Sequence, residues 1–212
     1  MKRKVDKELD FILNFAREFS TEEKSVLQCV REYSLRNIDP DSRQIERDLE
    51  AGSTLSETLA GRNYDRRIVK IIECGELSGA LEKLAKEAVD VAVEARRKEY
   101  YEEYIGYHFL GVFLNSGIPI LEAITLSARG LDNANLIRGF RKVHDGVMSG
   151  ENMGDTMLRY PEVFEEEDAR RVLETETGNY DENTNRFMIS LVSTLQNIAE
   201  EKKAEMNREY KI

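Results

Sequence analysis

Shifted back by 98 positions, the segment from Phe109 to Gly150 falls on an earlier part of the same chain. Phe109 meets Phe11, Phe113 meets Phe15 and Ile124 meets Val26; Asn135 meets Asn37, Val143 meets Ile45 and Gly150 meets Gly52, with no gap. Further on the offset becomes 99, which sets Gly75-Glu76-Leu77-Ser78-Gly79 on Glu174-Thr175-Glu176-Thr177-Gly178. A fixed offset held this long is the mark of tandem duplication, and it limits the architecture before any chemistry is considered. The chain therefore reads as two helical-bundle repeats, residues 1–105 and 106–212.

Within each repeat the apolar residues recur at helical spacing. In the first, Val5, Leu9, Ile12, Phe15 and Phe19 form one stripe, and Ser20 with Glu23 makes a capping-box pattern for a second helix carrying Val26, Leu27, Val30 and Tyr33. Asp39-Pro40 opens a third helix with Ile45 and Leu49, ending at Gly52. Ser53 or Thr54 caps a short fourth, Leu55 to Leu59, and the fifth carries Ile68, Ile71 and Ile72. After an interruption at Gly75–Gly79, a long sixth helix runs from Ala80 to about Tyr104 with Leu81, Leu84, Ala88, Val91 and Ala95 inward. It can run on into the next helix, with Gly106 as a kink point.

The second repeat follows the same plan. Phe109, Leu110, Phe113 and Leu114 share a face that stops at Asn115-Ser116-Gly117, and Pro119 suits the first turn of the helix that follows. Gly130 closes that helix. Asp132 or Asn133 caps another, which carries Leu136, Phe140, Val143 and Val147 and ends at Gly150. Met153, Met157 and Leu158 form a short helix before the break at Tyr160-Pro161; Val172 and Leu173 lie on the next. The final helix, about 181–208, turns Phe187, Leu191, Leu195 and Ile198 inward. No period-two pattern competes. The expected fold is all-α: two tandem six-helix bundles related by internal duplication, with Phe113 and Phe140 in the core.

Composition excludes several classes of function. A formal net charge of −10 disfavours nucleic acid, which needs a basic surface, and favours solubility or a basic protein partner. Cys29 and Cys74 form no metal or disulfide pattern. Basic Met1-Lys2-Arg3-Lys4 runs into Val5-Asp6-Lys7-Glu8 rather than an apolar signal segment. No run approaches the roughly 18 to 20 apolar residues that span a bilayer. His108 and His144 lack further ligands at metal spacing, and no nucleophile elbow, phosphate loop or dinucleotide fingerprint is present. Neither enzyme activity nor a cofactor or metal is expected.

Two charged stretches stand out. Glu165-Glu166-Glu167-Asp168 reads as an acidic helix start, with weak divalent-cation binding as the alternative. Arg96-Arg97-Lys98, followed by Glu99-Tyr100-Tyr101-Glu102-Glu103-Tyr104, reads as a solvated face of alternating charge with half-buried tyrosines, or as a segment facing a partner or membrane.

Several motifs occur in a telling order: Gly75-Glu76-Leu77-Ser78-Gly79 with Leu81 and Leu84; Asn115-Ser116-Gly117-Ile118-Pro119-Ile120-Leu121-Glu122-Ala123; Val147-Met148-Ser149-Gly150 with Met153 and Met157; and Tyr160-Pro161 with Val163-Phe164. Together they resemble the type II secretion system F domain, the cytoplasmic domain of the inner-membrane platform protein of type II secretion systems and type IV pili. The resemblance implies a non-enzymatic scaffold at or beside the inner membrane, in the cytoplasm. Such a scaffold links an assembly ATPase to pilin-like subunits and other machine components, with another copy of the chain as a further partner. It marks Gly75, Glu76, Ser78, Gly79, Gly117, Pro119, Gly150 and Gly178 as motif residues and candidate partner contacts.

The sequence departs from that family at two points. Membrane spans follow each bundle in the family, whereas Arg96 to Tyr107 here is charged and rich in tyrosine. Glu174-Thr175 stands where the first repeat has Gly75-Glu76, so the glutamate's role does not carry over directly. From the residues themselves, Gly75 ends one helix, Ser78 caps the next with Glu82 in its first turn, and Glu76 accepts hydrogen bonds at that helix start. The alternative function is a free-standing soluble helical adaptor or regulator with no pilus role.

Overall fold

The structure, a computed structural model, describes residues 4–21, 24–37, 40–178 and 184–208. Every regular element among them is a helix. The chain divides into two compact units, one up to Arg96 and the other from Arg97 to Arg208. The division falls inside one long helix, α6 (Leu81–Asn115), which supplies residues to both units. Gly106 does not break it.

The first unit holds α1 (Lys4–Thr21), α2 (Val26–Arg36), α3 (Pro40–Glu50), α4 (Leu55–Gly61), α5 (Arg66–Ser78) and the start of α6. Its core is built on Phe11, Ile12, Phe15, Ile45, Leu59, Ile68, Ile72 and Ala88, all buried. The stripe on α1 is broader than its spacing suggests, because Phe11, Leu13 and Ala16 are buried beside Leu9, Ile12 and Phe15. Phe11 meets Tyr33 and Tyr64 edge-on, with ring centroids 5.2 and 5.9 Å apart. Val5 lies outside the described side chains.

The first capping box lies later than expected. Helix α1 continues through Thr21, and the Ser20 hydroxyl merely donates to the Arg17 carbonyl at 3.1 Å. The box is Ser25 with Gln28: the Gln28 N–H donates to Ser25 Oγ, and the Ser25 N–H donates to the Gln28 side chain at 2.8 Å. Glu23, like Asp39, lies outside the described residues. Of the two candidates before α4, Thr54 makes the cap, paired reciprocally with Glu57. A further correction concerns Gly75, which does not end a helix. Helix α5 runs through it to Ser78 and ends at Gly79, whose φ of +70° is the left-handed conformation that favours glycine.

The second unit holds the rest of α6, then α7 (Ile120–Arg129), α8 (Ala134–Met148), α9 (Met153–Leu158), α10 (Glu166–Thr177) and α11 (Thr184–Met206). Leu110, Leu114, Ile124, Phe140, Val143, Met153, Val172, Leu191 and Leu195 form its core. Phe140 is buried against Phe164, whereas Phe113 is only partly buried at the edge of the cluster. Phe113 was expected in the core; its position on α6 gives it one packed side and one open side. Asn133 rather than Asp132 caps α8, accepting from Asn135 and Leu136 N–H groups at 2.9 and 3.3 Å. The Phe187 side chain lies outside those described.

Small residues set the spacing of this unit. A Cβ on Gly154 would collide with the backbone nitrogen and Cα of Leu173, so α9 and α10 touch backbone to backbone. Adding one methyl group there forces a main-chain shift. Gly154→Ala is expected to destabilise the chain by about 1–3 kcal/mol, the usual cost of overpacking. Phe140→Ala is expected to cost about 3–5 kcal/mol and Phe113→Ala well under that, because less of its ring leaves water. Urea denaturation of the three variants measures both differences; equal losses at Phe113 and Phe140 would contradict the packing.

Candidate functional site

The motif Gly75–Gly79 occupies the last turn of α5, and its side chains divide between inside and outside. The Glu76 carboxylate accepts from the Leu55 N–H at 2.7 Å, the Ser56 N–H at 3.3 Å and the Ser56 hydroxyl at 2.5 Å. It therefore fills the N-terminus of α4, not that of α6 as expected. The first N–H groups of any helix lack partners within it, and they carry the positive end of its dipole. Glu76 and the Thr54–Glu57 box together satisfy the opening turn of α4.

Ser78 sits at the exposed end of α5. Its hydroxyl donates to the Cys74 carbonyl at 2.6 Å and accepts from the Ala80 N–H at 3.4 Å, so it closes one helix rather than starting another. Gly75 is buried against Leu81, where a Cβ would lie 2.9 Å from the Leu81 Cα. Leu77 points the other way and is 83% exposed. Of the five motif positions, Leu77 presents the largest apolar surface to solvent.

A second glutamate does the same work in the other unit. Glu176, on α10, accepts from Met153 and Gly154 N–H groups at 2.8 and 2.7 Å, and so holds the start of α9. Asn152, the residue at the cap position, makes no side-chain cap bond. The 99-residue offset set Glu174-Thr175 against Gly75-Glu76 and hid this correspondence. Counting back from Gly178 by two, where Gly79 requires three, would have found it. Burial pushes the Glu176 carboxyl up, the two backbone N–H groups pull it down, and Asp155 adds a smaller push upward; the net direction is up.

The remaining motif residues lie at helix ends. Gly117 and Gly150 take left-handed φ values of +80° and +89° immediately beyond α6 and α8, and are exposed. Pro119 precedes α7, and its carbonyl accepts from the Ala123 N–H at 2.9 Å. Gly178 differs from Gly79: its φ of −58° is open to any residue. Met148, next to the Gly150 turn, is 63% exposed.

Both charged stretches turn out to be partly internal. Arg96, Glu102 and Glu103 are buried, which corrects the reading of these charges as a solvated face, and Tyr100 is buried rather than half-buried. Arg96 pairs with Asp6 at 2.7 Å. Glu102 accepts from the N–H groups of Asp132 and Asn133 at 2.9 and 3.1 Å, ordering the turn before α8. In the acidic run, Glu165 and Asp168 close on the Lys202 ammonium at 2.5 and 2.6 Å, with Glu103 at 4.0 Å. Lys202 was not legible as an internal residue, because Lys202-Lys203 reads as solvent-facing in any helical pattern. Among the described residues no group of three or more His, Cys, Asp or Glu is placed to hold a metal ion. No helix there is long and apolar enough to cross a membrane.

The family described as "Type II secretion system (T2SS), protein F" matches residues 107–212, half of the chain. A search of curated proteins returns no match.

The two glutamates are expected to differ under substitution. Glu76→Gln removes charge from three hydrogen bonds and should cost about 1.5–3 kcal/mol at neutral pH. Glu176→Gln should cost less, because burial already penalises its charged form. The pH dependence has a definite sign. A carboxyl whose pKa is higher folded than unfolded binds its proton more tightly in the fold, so its contribution falls as pH rises from the unfolded value through the folded one. Wild type should therefore gain stability relative to Glu176→Gln as pH is lowered through that window. Urea melts at several pH values read this, and a relative loss on acidification would contradict it.

Proposed function

Because the chain belongs to the type II secretion system protein F family, we propose that it is a non-enzymatic platform component of a type II secretion or type IV pilus-like assembly machine. It links an assembly ATPase to pilin-like subunits on the cytoplasmic side of the inner membrane. The family match over residues 107–212 carries this reading. A platform acts through its surface, and the motif at the end of α5 supplies a fitting contact: Glu76 is held inside while Leu77 stands in solvent.

The reading includes two copies of one bundle, residues 1–105 and 106–212. Three correspondences support it. Glu76 and Glu176 each clasp a short helix from the end of the following one. Gly52 and Gly150, 98 positions apart, share left-handed φ values of +96° and +89°. Each unit also draws on six helices.

The partner surface is less acidic than the sequence suggests, since Glu102, Glu103 and Asp168 face inward. Leu77 then matters more than charge. Affinity capture from the native cell at low and high salt tests the function. Wild type should recover an assembly ATPase and pilin-like subunits, and Leu77→Asp should reduce ATPase recovery by about tenfold at an unchanged melting temperature. Loss of the ATPase at high salt alone would place the contact on the remaining exposed acids instead. Recovery of no machine component, with the chain running at monomer mass, would favour the free-standing adaptor.

A further inference from the structure

A cleft lies between α7 and α8 in the second unit. Its floor is apolar, formed by Ile124, Ala128, Leu131, Ile137 and Phe140. Arg129 stands on its α7 side, and Arg141, His144 and Asp145 stand on its α8 side. Ile137, Arg141 and His144 follow one another at helical spacing, so the opening extends for about two turns, roughly 10 Å.

The charge around this opening runs against that of the chain. Helix α8 carries Arg138, Arg141 and Lys142 against a single acid, Asp145, within a protein of net charge −10. Many arginines here are paired: those at 31, 36, 62, 67, 96, 159, 170, 171 and 208 all meet carboxylates. Arg129 and Arg141 are exposed, and neither pairs with a carboxylate among the described residues. Asp145 lies 3.5 Å from the His144 ring and leaves both guanidinium groups open. Arg43, 98 positions before Arg141, also lines a cleft, but one of mixed charge, with Arg47 beside Glu46 and Glu50.

We propose that the α7–α8 cleft receives an acidic, apolar-anchored peptide segment of a partner protein. Its apolar side chains rest on Ile137, above the buried Phe140, and its carboxylates meet Arg129 and Arg141. Guanidinium groups hold carboxylates in a planar, two-pronged geometry, which suits them to this part. A segment of one or two helical turns lying between two helices matches the helix-in-groove mode of recognition. The inference goes beyond the platform reading, because it concerns a face of opposite charge to the rest of the chain.

The test uses three labelled synthetic peptides of about 18 residues, long enough to form a helix on binding. Each has leucines three and four positions apart, with glutamate, glutamine or lysine between them. Fluorescence anisotropy at low salt should show the glutamate peptide binding the full chain at least about tenfold more tightly than the others. The Arg129→Glu, Arg141→Glu double variant should lose that advantage while its circular dichroism and melting temperature stay unchanged. Methyl chemical shifts should move at Ile124 and Ile137. The proposal is overturned by absent binding of the glutamate peptide, by equal affinity of the three, or by shifts confined elsewhere. Displacement of the peptide by millimolar citrate or by anionic vesicles with matching shifts would also overturn it, in favour of a small-anion or lipid site. None of these outcomes bears on capture of an assembly ATPase, so the two ideas fail separately.

Discussion

A carboxylate set against the start of a short helix is the contact on which this architecture turns. Helices α4 and α9 have seven and six residues, too few to persist alone in water. Each unit contains one, and each is held by a glutamate from the helix after it. The arrangement satisfies N–H groups that packing would otherwise bury without partners, and it sets opposite charge at the positive end of the dipole. Glu102 applies the same chemistry to the turn before α8.

The chain directs much of its charge at itself. Glu18 is held down to about 2 by hydrogen bonds from Lys24 and Arg36, a tie between the end of α1 and α2. Lys202 is enclosed by acids from α10 and α6. A buried ammonium facing several carboxylates contributes less to stability than to the choice of one arrangement, since desolvation offsets most of the attraction. Net charge alone was therefore a poor guide to the surface: the acids that looked most available are in part committed to internal contacts.

What the sequence made legible follows from periodicity. The helices around Ile12, Ile45, Leu136 and Leu195 are fixed by 3.6-residue spacing, and the stops at Gly117 and Gly150 by glycine's freedom at positive φ. Caps were harder. Ser20 and Ser25 each have a capping-box partner type three residues on, Glu23 and Gln28, and the length of α1 decides between them. Glu76 was recognised as an acceptor at a helix start, but the helix it serves lies about twenty residues earlier, beyond the reach of any local pattern. Glu176 was masked by a one-residue slip in the offset between the two aligned segments. The burial of Arg96 and Lys202 depends on partners at Asp6 and Asp168, and spacing does not encode such distant pairs.

The backbone contact at Gly154 has a bearing on how the second unit assembles. With Gly154 pressed on Leu173 and the first N–H groups of α9 held by Glu176, that helix keeps only its contact with α8 once α10 departs. The two helices therefore open and close as one cooperative element. A single local event exposes Met153 and Met157 together with the far side of α10, and the lifetime of the α9 amides against exchange with solvent is set by the integrity of its neighbour rather than by its own hydrogen bonds.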